Sequence, residues 1–486
     1  MTEVNLQKYI SNQVARAPEM LKIYTEDTSG EAYLKRDKFS SLLKLIEDFT
    51  SKESDVRVIG IPGLRGTGKT TLLAQLYLHL FPDHPGDMLF ISADELVEDL
   101  NTDLFTIFKE YEKYLGTPFA ELDRDIFIFI DEIQFDPKWA SALKILYDRS
   151  RRVFVLCTGS SALSLQSNTD AARRILFQKL FPLSFPEYMR LKSKYASIKD
   201  PSLSVKDVNR DLRNSLKDAL FYSENASMVH ENLLKVNDEV KEYWKGIDTL
   251  ELGRYLRFGT MPYSLKSLDN QRLLNLTDSQ IDRVIERDLP ELGKFDTSTL
   301  SSVRNVLLLL AGSTEVSITN LSNNLAGMSA VTLRNVLEAL EKAELLIRVY
   351  PYGSSSYKKV RKPSKYHFMS PAIRHVLLSL LEGELSFSKH KGNYLEDAMA
   401  LYLHRIFSSD LISPIFYDSS KGGADFLINL VVRRIVLEVG MGHKGVEQVL
   451  STLERTKSTY GLVVSDSDLS LKGDVVKVPL EFFLLL

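Results

Sequence analysis

The segment Gly63-Leu64-Arg65-Gly66-Thr67-Gly68-Lys69-Thr70 decides the fold of the N-terminal part of this 486-residue chain. It matches the pattern G-x-x-x-x-G-K-[ST], between an apolar run, Val56 to Ile61, and a helical stretch that opens at Thr71. In that setting the glycines let backbone N–H groups turn inward on a polyphosphate, and the helix N-terminus adds partial positive charge. We therefore expect a phosphate-binding loop. The alternative is a glycine-rich turn with a solvated lysine.

The loop pattern also predicts what its side chains contact. Lys69 would reach the β and γ phosphates of a nucleotide, and the hydroxyl of Thr70 would ligate Mg²⁺. The expected ligands are thus ATP and Mg²⁺, and the residues expected to bind them in the loop are Gly63, Leu64, Arg65, Gly66, Thr67, Gly68, Lys69, Thr70 and Thr71.

Three further apolar runs follow the loop at intervals filled by helical stretches: Met88 to Ser92, Ile126 to Ile130 and Val153 to Cys157. They do not alternate with polar residues, which is typical of parallel strands covered by helices on both faces. The first fifty residues indicate polar helices that end in an amphipathic one around Phe39 to Ile46. This part of the chain is therefore predicted to be an α/β domain.

Two adjacent carboxylates, Asp131 and Glu132, end the third of these four runs. Asp131 would hold Mg²⁺ through its water shell, and Glu132 would polarise the water that attacks the γ phosphate. An acidic strand end taken alone is common, but its coupling to the phosphate loop favours a functional interpretation.

Small polar residues follow the fourth run. In P-loop ATPases with an extra strand between the loop strand and the acidic strand, such a residue senses the γ phosphate, so Thr158 or Ser160 could do so here. Ordinary turn chemistry is the alternative. Arg173 and Arg174 could supply positive charge to the transition state, or simply form a solvated helix face.

Beyond Phe185 the pattern changes. From about Tyr188 to Leu274 no comparable strand is predicted, which indicates an all-helical lid. From Leu300 to Phe368 the order is helix, helix, helix and hairpin, which suggests a winged helix. The last hundred residues return to helix and strand, with a helix from Tyr394 to Ile406 and strands Phe426 to Leu430, Arg434 to Val439 and Gly461 to Ser465.

The chain resembles a family of prokaryotic AAA-type ATPases. The motifs that carry the resemblance are the phosphate loop, Ile130-Asp131-Glu132-Ile133-Gln134, Trp139, Leu143 to Asp148, Thr158-Gly159-Ser160-Ser161 and Pro182-Leu183-Ser184-Phe185-Pro186-Glu187-Tyr188. The resemblance implies an α/β P-loop ATPase sheet with a helical lid, a winged helix and a C-terminal α/β restriction-endonuclease-like domain of the PD-(D/E)xK type. It also places Arg174 where the family has an arginine, eight residues before the Pro-Leu-Ser-Phe turn. Links to mobile elements or defence are a weak implication.

The expected division is therefore 1–50 for N-terminal helices, 51–187 for the ATPase core, 188–298 for the lid, 299–375 for the winged helix and 385–486 for the nuclease-like domain. In that last domain the resemblance places Glu396 on a helix, Asp425 at a strand start and Glu438 on the next strand. Gly440 stands where the family has its lysine. Lys444 could replace that lysine, or the domain is a retired nuclease kept for packing or binding, which we favour. The carboxylates could still hold Mg²⁺.

A basic stretch without acidic residues lies between Arg348 and Tyr366, and it holds Lys358, Lys359, Arg361, Lys362 and Lys365. It could neutralise the phosphates of DNA. However, Glu338 and Glu341 on the presumed recognition helix would repel phosphates, so a winged helix that only couples domains is an equal alternative. Contact with the DNA backbone is expected in preference to base readout.

The composition limits the remaining possibilities. The chain has 61 Lys and Arg against 64 Asp and Glu, so no global field draws it to nucleic acid or acidic lipid. The single cysteine, Cys157, can form no internal disulfide. No apolar run approaches a membrane span. We expect a cytoplasmic protein without membrane contact, able to oligomerise.

Two functions fit these patterns. The first is an Mg²⁺-dependent ATPase, with catalytic Lys69, Glu132 and Arg174, whose nucleotide state repositions the winged helix and the tail next to DNA. The second is a nucleotide-gated regulatory switch that hydrolyses ATP slowly and binds a protein partner.

Overall fold

The structure is a computed structural model that describes residues 3–159, 173–199, 207–266, 269–313, 315–316, 318–325, 328–353, 363–408, 413–442 and 444–486. The chain divides into two units. The first is Met1–Phe181 with Lys342–Glu344, and the second is Pro182–Glu341 with Leu345–Leu486. Within the described ranges no helix is both long enough and apolar enough to cross a membrane.

A five-stranded sheet with only parallel pairs forms the centre of the first unit. Its strands are β1 (Val58–Pro62), β2 (Met88–Ser92), β3 (Ile126–Asp131), β4 (Val153–Gly159) and β5 (Leu176–Phe177), in the order β2-β3-β4-β1-β5. The four strands predicted from apolar runs are confirmed, and β4 lies between β3 and β1 as the extra strand. The sequence does not reveal β5, because two residues are too short to produce a pattern.

Helices cover both faces of this sheet, which explains why its strands are apolar without alternation. Along β3, Ile126, Ile128 and Ile130 pack on one face, while Phe127 and Phe129 pack on the other. The first face is covered by helices Glu3–Met20, Leu104–Leu115 and Trp139–Arg149, and the second by helices Asp37–Thr50 and Lys69–Leu80. Each fully buried side chain of this kind contributes about 1.5–3 kcal/mol.

The second unit begins with helices, and its described residues from Phe185 to Leu292 contain no strand. The longer helices there are Phe185–Lys199, Arg210–Tyr222, Ala226–Trp244 and Asn270–Arg283. The shorter ones are Leu250–Arg254 and Leu289–Leu292, each adjoining a single π-helical turn.

Three helices and a hairpin follow in the predicted order. The helices are Thr297–Gly312, Ile318–Asn324 and Ala330–Lys342, and the hairpin strands are β7 (Leu346–Pro351) and β8 (Ser364–Phe368). A two-residue strand, β6 (Glu315–Val316), pairs with β8. The hairpin tip, residues 354–362, lies outside the described residues. The interpretation of this segment as a winged helix remains a prediction.

The hairpin and the C-terminal strands belong to one nine-stranded sheet, in the order β13-β14-β12-β11-β10-β9-β7-β8-β6. The join is the parallel pair between β7 and β9, where Tyr350 lies opposite Phe416. The additional strands are β9 (Ile415–Tyr417), β10 (Phe426–Asn429), β11 (Arg434–Val439), β12 (Tyr460–Ser465), β13 (Ser470–Lys472) and β14 (Val475–Pro479), and the helices are Pro371–Glu382, Ser386–Lys389, Lys391–Ile406, Glu447–Thr456 and Leu480–Phe483.

A fully buried ion pair connects the elements around this sheet. Arg374 donates from Nε and Nη2 to the two carboxylate oxygens of Asp397, at 2.6 and 2.8 Å, and both side chains are 0% exposed. Arg374 Nη1 also donates to the carbonyl of Ala311 at 2.6 Å, at the end of helix Thr297–Gly312. Asp397 Oδ1 accepts from the backbone N–H of Phe368. The pair thus fixes the helix that carries Glu396.

We predict that Arg374→Met destabilises the second unit by about 3–5 kcal/mol, because it leaves the Asp397 carboxylate buried without its cation. Lys389→Met removes an exposed partner of Glu382 and should leave stability nearly unchanged. Scanning calorimetry of the two variants compares these effects. The double change Arg374→Met/Asp397→Leu should recover much of the loss. Equal melting temperatures for the two single variants would contradict the assigned role of the pair.

Candidate functional site

The loop between β1 and helix Lys69–Leu80 takes a shape that only its glycines allow without strain. Gly66 and Gly68 have φ of 81° and 88°, in the left-handed region that disfavours a side chain. At Gly63 a β-carbon would overlap the carbonyl oxygen of Leu180. The spacing of the motif is therefore a backbone requirement, and the loop ends at the N-terminus of a twelve-residue helix.

Lys69 lies inside this loop. Its side chain is buried, and Nζ donates to the carbonyl oxygens of Gly63 at 2.8 Å and Leu64 at 3.3 Å. The hydroxyl of Thr67 donates to the same Leu64 carbonyl at 2.8 Å, and Arg36 donates to the carbonyl of Thr67, also at 2.8 Å. No motif in the sequence links Arg36 to Thr67, which lies 31 residues later, so this contact could not be predicted.

Asp131 accepts hydrogen bonds from two hydroxyl groups that the fold brings to it. Thr70 Oγ1 donates to Oδ2 at 2.8 Å, and Thr158 Oγ1 donates to Oδ1. Burial raises the pKa of Asp131 to about 6, the neighbouring Glu132 adds to that rise, and the two hydroxyls oppose it. A carboxylate buried in this way favours a nearby cation.

Glu132 has a different environment. Its φ of 49° is in the left-handed region, a strained conformation for a residue with a side chain. Its backbone N–H donates to Thr158 Oγ1 at 3.2 Å, and Gln134 Nε2 donates to Oε2 at 2.6 Å. Arg65 Nη1 lies 3.6 Å from Oε1. The loop motif predicts Arg65 as a nucleotide-binding residue, but it does not predict this pair.

Of the other residues expected at the site, only Thr158 is described in contact with the two carboxylate residues. Thr158 contacts both carboxylate residues, as described, whereas Ser160 lies outside the described residues. Thr71 is the third residue of helix Lys69–Leu80. Arg174 donates from Nε and Nη2 to Asp148 at 3.1 and 3.3 Å, and Arg173 is exposed.

The residues expected at the tail site do come together in the second unit. The backbone N–H of Asp425 donates to Glu438 Oε2 at 3.1 Å. Burial raises the pKa of both Glu396 and Glu438, and the nearby charge of Asp425 raises it further, to about 7 for Glu438. Glu396 Oε2 is buried without a hydrogen bond. Lys444 Nζ donates to Glu438 Oε1.

Two lysines neutralise this cluster. Lys365, on β8, donates to Asp425 Oδ1 at 3.0 Å. The sequence pattern assigns Lys365 only to the basic stretch. At Gly440 a β-carbon would overlap the side chain of Lys444, so Lys444 occupies the space that the glycine leaves. In the described part of the chain, no three His, Cys, Asp or Glu side chains are arranged to hold a metal.

Two segments of the chain match known protein families. Residues 55–189 match an AAA domain, and residues 249–384 match a domain of unknown function (DUF8612). The Walker-type ATPase PABY2304 of Pyrococcus abyssi is a similar solved structure, with 14% identity, a TM-score of 0.41, and coverage of 71% of this chain and 95% of that one.

Two proteins of Methanocaldococcus jannaschii are similar in sequence. The uncharacterized protein MJ1544 is 24% identical over 383 residues, which cover 76% of this chain and 71% of that protein. The uncharacterized protein MJ1637 is 34% identical over 488 residues, which cover 99% of this chain and 94% of that protein. The chain therefore belongs to the family of MJ1637, and its residues 55–189 match an AAA domain.

Proposed function

We propose that this protein hydrolyses ATP with Mg²⁺ and uses the nucleotide state to reposition the helix-hairpin segment and the tail next to DNA. The observation that carries the proposal is the hydrogen bond between Thr70 Oγ1 and Asp131 Oδ2, at 2.8 Å. It joins the end of the phosphate loop to the end of the acidic strand, the two places from which P-loop ATPases take their metal ligands.

The two oxygens fit a magnesium ion. Mg²⁺ prefers hard oxygen ligands, usually keeps several waters, and is completed by substrate phosphates, so one hydroxyl and one carboxylate suffice. Bound there, the ion would neutralise charge that develops on the β and γ phosphates. Asp131, buried and bonded to two neutral hydroxyls, suits this role.

The remaining residues have separate tasks. The Lys69 ammonium, which now bonds to loop carbonyls, would exchange them for phosphate oxygens. Glu132 would accept a proton from the attacking water. The hydroxyl of Thr158 donates to Asp131 and accepts from the Glu132 backbone N–H, so it would fix the positions of the metal ligand and the base relative to each other. Arg174 and Ser160 remain proposed γ-phosphate contacts.

The tail is proposed to be a nuclease-like fold that does not cleave. Lys365 pairs with Asp425 Oδ1 and Lys444 pairs with Glu438 Oε1, so each ammonium would compete with a metal for one carboxylate oxygen. Incubation of DNA with the protein and Mg²⁺ or Mn²⁺ tests this proposal. Cleavage that Asp425→Ala abolishes would overturn it.

A second candidate function is a slow nucleotide-gated switch that binds a protein partner. The observation that favours it is the restraint on Glu132, whose carboxylate is held by Gln134 and paired with Arg65. A base held in this way would turn over slowly. Very slow hydrolysis with a nucleotide-dependent change in oligomer size would favour this function over the first.

We predict that Lys69→Ala weakens ATP binding by about tenfold or more, because it removes a charge-assisted contact to phosphate. Glu132→Gln should not weaken ATP binding but should slow turnover by about 100-fold or more, because it removes the base. Nucleotide titration and steady-state phosphate release measure the two effects. Lys44→Ala, an exposed lysine of the same unit, is the control and should change neither. Unchanged nucleotide affinity in Lys69→Ala would refute the ATPase proposal.

We predict that DNA stimulates ATP hydrolysis and binds in a salt-dependent way through Lys358, Lys359, Arg361 and Lys362. Lys358→Gln/Lys359→Gln should lower the slope of log affinity against log salt by about 2, since each phosphate contact contributes about 0.9. The matched control is Lys235→Gln/Lys245→Gln, at exposed lysines elsewhere in the second unit. Absence of both stimulation and salt-sensitive binding, with DNA and with RNA, would refute the nucleic-acid part of the proposal.

A further inference from the structure

Arg65 is a charged side chain of the phosphate loop that pairs with one of the two carboxylates of the site. It stands between Gly63 and the left-handed Gly66, and its Nη1 is 3.6 Å from Glu132 Oε1. The Arg65 and Glu132 side chains are only 13% and 15% exposed, so this is not an ordinary surface pair. Water screens such a pair weakly, and its charges attract more strongly than two solvated ones.

The other contacts of Glu132 fix where its carboxylate points. Gln134 holds Oε2 at 2.6 Å, and the strained backbone at φ 49° is anchored by the bond from its N–H to Thr158. With Arg65 on one oxygen and Gln134 on the other, both carboxylate oxygens of Glu132 have polar partners. A carboxylate engaged in this way is poorly available to accept a proton from water.

The loop is also the element that would surround the phosphates of ATP. A guanidinium binds phosphate oxygens through paired N–H donors, and a terminal phosphate carries more negative charge than a carboxylate. A nucleotide with a γ phosphate would therefore compete with Glu132 for Arg65, whereas ADP lacks the group that competes.

We propose that Arg65 links ATP occupancy to the release of Glu132. Without nucleotide Arg65 pairs with Glu132. With ATP bound Arg65 moves to the γ phosphate, and the Glu132 carboxylate becomes free to contact the attacking water. This inference rests on the proposed ATPase function. In the reaction, the water oxygen bonds to the γ phosphorus and its proton passes to Glu132, while the bond to the β–γ bridging oxygen breaks and ADP leaves with that electron pair.

Arg65 would also provide the positive charge that stabilises the transition state, a role that the sequence predicts for Arg174. Arg174 donates two hydrogen bonds to Asp148, at 3.1 and 3.3 Å. Arg65 is instead paired with Glu132, the residue next to the proposed metal ligand Asp131. Arg65 would thus stabilise the transition state from within the same chain, as an arginine finger does.

The test compares Arg65→Met with the wild type in three measurements: affinity for a non-hydrolysable ATP analogue, affinity for ADP, and turnover of ATP. We expect affinity for the analogue to fall by about tenfold while ADP affinity stays unchanged, because only the analogue offers a γ phosphate. Turnover should fall by about 100-fold or more. Arg65→Lys should restore part of the preference for the analogue over ADP.

A reciprocal variant gives a readout that needs neither hydrolysis nor a change at Arg65. Glu132→Gln removes the competing carboxylate, so affinity for the ATP analogue should rise a few-fold while ADP affinity does not change. Arg124→Met is the control. It removes an arginine paired with Asp87 in the same unit, away from the loop, and should leave all three quantities unchanged.

The outcomes separate the inference from the function on which it rests. If Lys69→Ala loses nucleotide binding but Arg65→Met keeps wild-type turnover and analogue preference, the inference is overturned and the ATPase proposal stands. If Arg65→Met does not fold, an unchanged analogue affinity in Glu132→Gln overturns the inference. If the wild type neither binds nor hydrolyses ATP, both fail.

Discussion

The parallel register of three neighbouring strands is the constraint on which the first unit depends. In that register Thr158 of β4 lies beside Ile61 of β1, and Cys157 of β4 lies beside Ile130 of β3. The phosphate loop, the two carboxylates and the Thr158 hydroxyl therefore emerge at one edge of the sheet. A slip of one residue in β4 would point Thr158 to the other face and leave Asp131 without that hydroxyl.

The fold gives the two adjacent carboxylates, Asp131 and Glu132, different surroundings and therefore different roles. Burial raises the pKa of Asp131, which accepts from two neutral hydroxyls and favours a cation. Glu132 has a strained backbone, and its carboxylate lies beside a guanidinium and an amide. Neighbouring residues on a strand point to opposite sides, but the left-handed φ of Glu132 breaks that alternation. The strain is what allows both groups to serve one site.

The sequence predicts the parts of this protein that depend on local patterns. The loop glycines, the four apolar strands and the run Ile130-Asp131-Glu132 are visible because backbone shape and burial act on neighbouring residues. Arg36 at Thr67, Arg65 at Glu132 and Lys365 at Asp425 are not, because each joins positions 31 to 67 residues apart whose approach only the folded chain decides. Strands β5 and β9 were missed for a related reason, since two or three residues establish no period.

The join between β7 and β9 makes the hairpin and the tail one continuous hydrogen-bonded sheet. Any displacement of one must carry the other, because sliding them apart would break backbone hydrogen bonds at a partly buried join. The join also limits which fragments of the protein can be produced separately. A fragment that ends after the hairpin would leave the end of β7 with an open strand edge, and a fragment that begins at the tail would do the same at β9. Such edges recruit other chains, so we expect the two pieces to aggregate when made separately and to stay soluble when made together.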